Sequence, residues 1–244
     1  MTLAAIDADI LLYRAMTYAE QEINWHDNVW TLYADIDEAK SIFTGQVDKI
    51  KTKLKTDDIL CCLSDRSENF RKSIDPTYKS NRKGTRKPSG FNAFIEWVET
   101  AYPSLRKPSL EADDVMGIIA TKPDNIGKVV VVSDDKDLKT IPCKLFRPSQ
   151  DELLNITQQQ ADAFFLHQCL TGDPTDGYGG CKGVGEKTAQ KILGSRPTWS
   201  SVEQAYMKAG MTKDDALQQA RLARILRWDD WDEAKGEPRL WQPN

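Results

Sequence analysis

Nine carboxylates carry the chemical interest of this sequence: Asp7, Asp65, Glu111, Asp113, Asp114, Asp135, Asp137, Asp173 and Asp176. Asp7 closes the apolar run that begins at Leu3, Asp65 follows Ile59 to Leu63, and Asp135 and Asp137 follow the valines 129 to 132. Glu111, Asp113 and Asp114 open a segment in which Val115, Ile118 and Ile119 have helical spacing, while Asp173 and Asp176 lie just past a helix end. So many acids cannot stay ionised together at short range without cations, because like charges raise one another's pKa. Hard divalent ions with oxygen ligands, Mg²⁺ or Mn²⁺, are the natural partners. Two such ions about 3.5–4 Å apart would activate a water and stabilise the leaving oxygen of a phosphodiester. That chemistry requires no Cys or His. Each acid taken singly also has an ordinary reading. An Asp after a strand is often a turn or an N-cap, which is how Asp9 and Asp134 are read, and EADD also fits a charged first helical turn. The ordered set favours the metal site.

The elements that must position these acids alternate. Leu3 to Ile6, Ile59 to Leu63 and Val129 to Val132 read as strands, each ending in an acid, and in open α/β sheets ligands bind outside the carboxyl ends of the strands. Ile36, Ala39, Phe43, Val47, Ile50 and Leu54 share one face of a long helix. Phe91, Phe94, Ile95 and Val98 predict a second helix over 90–101. Thr157 and Gln160 form a capping-box signature that opens a helix ending near Gly172. The six glycines between 172 and 185 demand a loop, and Glu186 to Leu193 reads as a short helix stopped by Gly194. Thr212 caps a further helix bearing Ala216, Ala220, Ala223 and Leu226, before a Trp-rich tail. The expectation is an α/β fold with a mostly parallel central sheet flanked by helices, residues 1–156, integrated with a helical part, 157–244.

Charge is segregated. The net charge is only −4, but residues 66–87 hold Arg66, Arg71, Lys72, Lys79, Arg82, Lys83, Arg86 and Lys87 against Glu68 and Asp75. One concentrated basic segment suits a nucleic-acid backbone better than the overall sum suggests. No run of about 18 apolar residues occurs, so no membrane span is expected, and no basic n-region precedes an apolar stretch. Five cysteines in no CxxC or Cys/His pattern argue against a disulfide framework or a zinc site, which fits a reducing cytoplasm. Neither His26 nor His167 reads as catalytic.

Together, IDAD at Asp7, LSD at Asp65, YKSNR at 78–82, EADDVMG at 111–117, SDDKDLKTI at 133–141 and GDPTDGYGGCKGVGEKTA at 172–189 resemble the 5′ nucleases, or flap endonucleases. DPTYKSNRK, EADDVMGIIA and AGMTKDDALQQARLARILRW give the resemblance the character of the 5′-to-3′ exonucleases of short-tailed, podovirus-type phages. It implies a PIN-like core, with Asp7, Asp65 and Asp113 on one side of a metal pair and Asp135, Asp137 and Asp173 on the other. Glu111, Asp114 and Asp176 match further family acids that hold metal-bound waters or the second ion.

By the same resemblance, the basic region about 66–90 forms an arch in which Lys79 and Arg82 approach the scissile phosphate as catalytic groups. Tyr78 is expected to stack on a terminal base, and Arg71, Lys83, Arg86 and Lys87 to bind DNA. Residues 161–193 match a helix-three-turn-helix, in which Gly180, Gly183 and Gly185 admit phosphates, Lys187 and Thr188 open the next helix, and K⁺ is a further candidate ion. Gly177 and Cys181 depart from the family pattern of that loop. The implied substrate is double-stranded DNA with 5′ ends or flaps, with RNA–DNA hybrids as an additional one, acted on by a monomer in the cytoplasm of an infected bacterial cell. Two rivals are a toxin-type acid-cluster ribonuclease, which would lack the glycine loop and the basic arch, and a catalytically inactive DNA-structure-binding protein, which would have lost acids.

Overall fold

The computed structural model describes residues 2–243. β1 (Leu3–Asp7) leads directly into α1 (Ala8–Ala19), which is followed by a hairpin, β2 (Glu20–Asn24) and β3 (Trp30–Ala34), and then by α2 (Ile36–Leu54) and β4 (Ile59–Leu63). The basic segment contains one helical turn, α3 (Arg71–Ile74), and a 3₁₀ turn at Ser80–Arg82. After it come α4 (Phe91–Ala101), β5 (Ser104–Arg106), α5 (Ala112–Thr121), β6 (Val129–Val132), β7 (Lys144–Arg147) and β8 (Glu152–Asn155). The remainder is helical: α6 (Gln158–Thr171), α7 (Glu186–Leu193), α8 (Trp199–Lys208) and α9 (Lys213–Ala223), before a tail with the short pair β9 (Trp231–Asp232) and β10 (Glu237–Pro238).

The main sheet runs β5-β4-β1-β6-β7-β8, parallel throughout except for β8. Central parallel strands are covered on both faces, which is why β6 is four consecutive valines, all buried. Strand alternation sends Ala4, Ile6, Cys61, Leu63, Val130 and Val132 to the face packed by α1, α2 and α4. Ala5, Cys62, Val129 and Val131 face the other way, toward α5 and the residues Ile225 and Leu226. From β1 the chain builds outward through β4 and β5 on one side, and from β6 through β7 on the other. The carboxyl ends of β1 and β6 therefore flank a topological switch point, the place where open sheets bind ligands.

The three strands, the α2 face and the helices about 90–101, 158–171 and 186–193 form as the residue pattern predicts. The hairpin β2–β3, the outer strands β5, β7 and β8, and α8 carry no such pattern and arise only in the fold. Leu226 is a correction: α9 ends at Ala223, and Leu226 lies in an extended segment that lays Ile225, Leu226 and Trp231 beneath α5. Gly117 permits this approach, since a Cβ there would meet the Leu226 carbonyl oxygen at 2.3 Å and Ile141 at 3.0 Å. Gly117→Ala is expected to lower stability by about 1–3 kcal/mol through overpacking, read as a reduced urea midpoint; an unchanged midpoint would mean that the tail does not press on α5.

Candidate active site

Asp7 ends β1 and N-caps α1, accepting from the Ile10 N–H at 3.3 Å and from the Ser133 hydroxyl at 2.8 Å. Ser133, at the end of β6, also accepts from the Asp135 N–H at 3.1 Å, so one hydroxyl ties two strand-end acids together. Asp135 in turn N-caps the 3₁₀ turn 136–140, accepting from the Asp137 N–H at 2.8 Å. Asp113 projects from the first turn of α5, and no side chain among the described residues bonds it. Burial, then Asp7 and Asp135, push its carboxyl well above the usual range. Burial and the nearby Asp9 likewise push Asp7 up. This inner group of Asp7, Asp9, Asp113 and Asp135 is a set of hard oxygen donors whose charges oppose one another, a fit for divalent cations. Among the described residues, no three carboxylates are drawn tightly enough together to form a finished chelate.

A second group lies beside it. Asp137 accepts from Gln168 on α6 at 2.6 Å, and burial, then Asp135 and Asp173, push it up to about 7. Asp173 is buried, which opposes its ionisation, but the Thr175 N–H at 2.7 Å and Lys136 at 3.2 Å more than offset this and hold it below the ordinary value.

The third group binds the acids to the basic segment. Glu111 pairs with the Lys79 ammonium and with Arg71 at 3.1 Å; burial opposes its charge, yet these cations bring it down to about 2. Asp176 pairs with Lys79 at 3.4 Å and with Arg82 at 2.6 Å. The Lys79 N–H donates to the Asp176 carbonyl at 2.8 Å, and Asn81 donates to the carbonyls of Pro174 and Thr175. Residues 77–82 thus lie along the 173–177 loop, with both proposed catalytic cations at the rim of the carboxylate group.

Several residues are placed elsewhere than the sequence suggested. Tyr78 is 3% exposed, and its hydroxyl donates to Glu111 at 2.9 Å and to Asp176 at 3.1 Å, so its ring cannot stack on a base. Arg71 is buried against Asp114, both of whose oxygens it holds at 2.7 Å, and so offers no charge to DNA. Asp114 is spent on that pair and on the Leu226 N–H at 3.0 Å, which removes it as a metal ligand. Asp65 accepts from the Ser67 and Ser109 N–H groups at 3.0 and 2.6 Å, bonds that hold it down at about 2 and fold its loop.

Gly180 is buried against Gly172, and its N–H donates to Gln219 at 2.8 Å, which withdraws it from any phosphate. Gly183, Gly185, Lys187 and Thr188 are exposed around the N-terminus of α7. Lys83, Arg86 and Lys87 are exposed as well, with Arg86 paired to Glu20. Asp134 turns away to Arg14 and Ser149, in keeping with its reading as an ordinary turn residue. Asp9 is the residue that sequence reasoning missed: it accepts from the Ser64 N–H at 3.1 Å while facing Asp7. Its signal was its place two residues past Asp7, in the first helical turn.

The family described as "5'-3' exonuclease, N-terminal resolvase-like domain" matches residues 2–161. The exonuclease of Escherichia phage T7 is 32% identical over 98% of this chain and 92% of its own length. The exodeoxyribonuclease of Enterobacteria phage T3 is 33% identical over the same shares. The alignment with the T7 protein runs over 279 positions, more than the 244 residues here, so that relative carries insertions this chain bridges with gaps. Among solved structures, the bacteriophage T5 flap endonuclease in a pseudo-enzyme-product complex with DNA and metal ions superposes with a TM-score of 0.66, at 14% identity, over 92% of this chain and 89% of that one. The catalytic core of Rad2 in complex with a DNA substrate gives 0.54 at 12% identity, over 99% of this chain and 83% of that one. These distant likenesses speak for the fold.

A mostly parallel sheet with carboxylates at its switch point, joined to a helical unit, together with these matches, makes the protein a nuclease of the 5′-3′ exonuclease class. The chain belongs to the 5′-3′ exonuclease family.

Arg71→Met would leave Asp114 charged and unpaired in the interior, a loss expected to cost about 3–5 kcal/mol. Urea denaturation measures it. Unchanged stability together with weaker DNA binding would instead make Arg71 a phosphate contact.

Proposed function

We propose that this nuclease removes nucleotides from the 5′ ends of duplex DNA and cuts 5′ flaps, releasing 5′-phosphorylated products with the help of two Mg²⁺ or Mn²⁺ ions. The observation that carries this reading is the convergence of Asp7, Asp113 and Asp135 at the switch point, each facing the others' charge. When bound there, divalent ions supply activation of the attacking water and neutralisation of charge on the phosphodiester. Asp7, Asp113 and Asp135 would hold them, with Asp9, Asp137 and Asp173 alongside. The metal ions and DNA named for the T5 relative agree with this reading.

The chain's own residues do the rest. Lys79 and Arg82 stand at the rim of the acids, where a phosphate entering the site would exchange their present carboxylate partners for its own oxygens. Gly183 and Gly185 have open space beside them, so backbone N–H groups can approach a duplex phosphate, with Lys187 and the start of α7 adding positive charge. A K⁺ ion held by backbone carbonyls of this loop belongs to the same reading. Contacts of this kind are to the backbone, so sequence preference is weak and affinity falls steeply with salt. The RNA strand of a hybrid is a further substrate, and the setting is a monomer in the cytoplasm of an infected bacterium, serving primer removal, host DNA degradation and recombination.

Duplexes labelled separately at each 5′ and 3′ end, beside a 5′-flap substrate, test the reading. Early loss of the 5′ label with Mg²⁺ is the expected result; tight, salt-sensitive binding with no cleavage in Mg²⁺ or Mn²⁺ would favour an inactive structure-binding protein. Asp135→Ala should abolish cleavage while sparing duplex binding measured in Ca²⁺, and near-normal turnover would remove Asp135 from the metal site. Lys79→Ala should reduce turnover about 10²–10³-fold, as expected for a donor aimed at developing charge, with a much smaller effect on equilibrium binding; equal losses would reduce Lys79 to a tether.

A further inference from the structure

The β2–β3 hairpin takes no part in the site. Of the eleven large apolar side chains exposed among the described residues, six lie at or beside it: Tyr18, Trp25, Val29, Trp30, Leu32 and Tyr33. Strand pairing sets Gln21 opposite Tyr33 and Ile23 opposite Thr31 on one face, where Trp25 and Val29 continue the row. Glu22 opposite Leu32 and Asn24 opposite Trp30 occupy the other face. Each face therefore exposes apolar side chains set among polar ones. The ribbon has two strands only, so both outer edges keep unpaired backbone groups. Its root alone is anchored: Ala34 packs on the core, and the Glu20 carboxylate accepts from Arg86 and from the Ser89 N–H at 2.7 Å. A two-stranded ribbon is marginal by itself, and an exposed apolar edge is a template for pairing with another chain.

Charge selects the occupant. Residues 20–35 contain no Lys or Arg, and of their four acids Glu20 is paired with Arg86 and Asp35 caps α2, which leaves Glu22 and Asp27 to face a partner. An acidic ribbon repels a phosphate backbone and favours a cationic partner. We propose that the β2–β3 hairpin is a protein-docking edge that accepts, by strand addition, an extended segment of a partner protein in which apolar residues alternate with Lys or Arg. The partner's apolar side chains lie along the face of Ile23, Trp25 and Tyr33, and its cations lie on the opposite face beside Glu22, with Asp27 at the turn adding negative charge.

The probe is a synthetic Lys-Val-Lys-Val-Lys-Val-Lys peptide, with Glu-Val-Glu-Val-Glu-Val-Glu as control, titrated against the full chain by tryptophan fluorescence and by amide hydrogen exchange. The cationic peptide is expected to bind, to slow exchange over residues 20–34 and to lose at least tenfold in affinity with Trp25→Ser/Tyr33→Ser. The exposed pair Glu22→Lys/Asp27→Lys, which leaves the apolar row intact, should cause a similar loss and keeps the test decisive if the first variant melts early. DNA cleavage should be unchanged in both. Equal binding of the two peptides, binding that survives both variants, or no slowing over residues 20–34 would overturn the proposal. So would loss of flap cleavage in Trp25→Ser/Tyr33→Ser without peptide binding to the parent chain, which would assign the hairpin to DNA.

Discussion

The guanidinium of Arg71 is the point at which three remote stretches of chain are fastened. It makes five hydrogen bonds: two to Asp114, one to Glu111, and one each to the carbonyls of Leu222 and Arg224. Five is the full donor complement of an arginine, which is why a buried charge is tolerated here. Asp114 is saturated in return, since it also accepts the N–H groups of Glu111 and Leu226. The basic segment, the start of α5 and the chain leaving α9 are thereby held in one arrangement. Asp113 owes its direction to this anchorage, because its helix cannot turn without breaking the pair.

From that fixed point the charges sort by distance from the switch point. Innermost, Asp7, Asp113 and Asp135 form no ion pair among the described residues, and burial with the neighbouring acids raises Asp7 and Asp113 above the ordinary carboxylate range. Farther out, each acid has a cation: Asp173 has Lys136, Glu111 has Lys79, and Asp176 has Arg82. The outer pairs are exchangeable in a way the Arg71 pair is not, since Arg82 is half exposed whereas Arg71 is sealed. A polyanion entering the site meets cations whose present partners are carboxylates, and it competes for them directly. Structural and functional charges are thus separated by burial and not by residue type.

Burial also explains where reading residue types fell short. Arg71, Tyr78 and Asp114 lie within motifs whose other members line the site, and nothing in their type distinguishes a contact with DNA from a bond inside the protein. Gly180 resembles Gly183 and Gly185 in the loop, yet only Gly180 is pressed against Gly172. Asp9 has the opposite history. Its place in the first turn of α1 looks like dipole compensation, and only the packing of β4 beside β1 brings Ser64 to it.

The sequence by itself determined what short-range periodicity and local chemistry control. Apolar runs specified the three central strands, three- and four-residue spacing and caps specified α2, α4, α6, α7 and α9, and acids at strand ends marked the side of the sheet where chemistry would lie. Those features depend on neighbours a few residues away, so they are written locally. The tertiary structure alone decided the edge strands β5, β7 and β8, the open hairpin, and the partition of the acids among mutually opposed, cation-paired and buried structural roles. The partition of the acids depends on partners dozens of residues distant, such as Leu226 for Asp114 or Lys79 for Glu111. Whether a charge is free or spent is a property of what the fold brings against it.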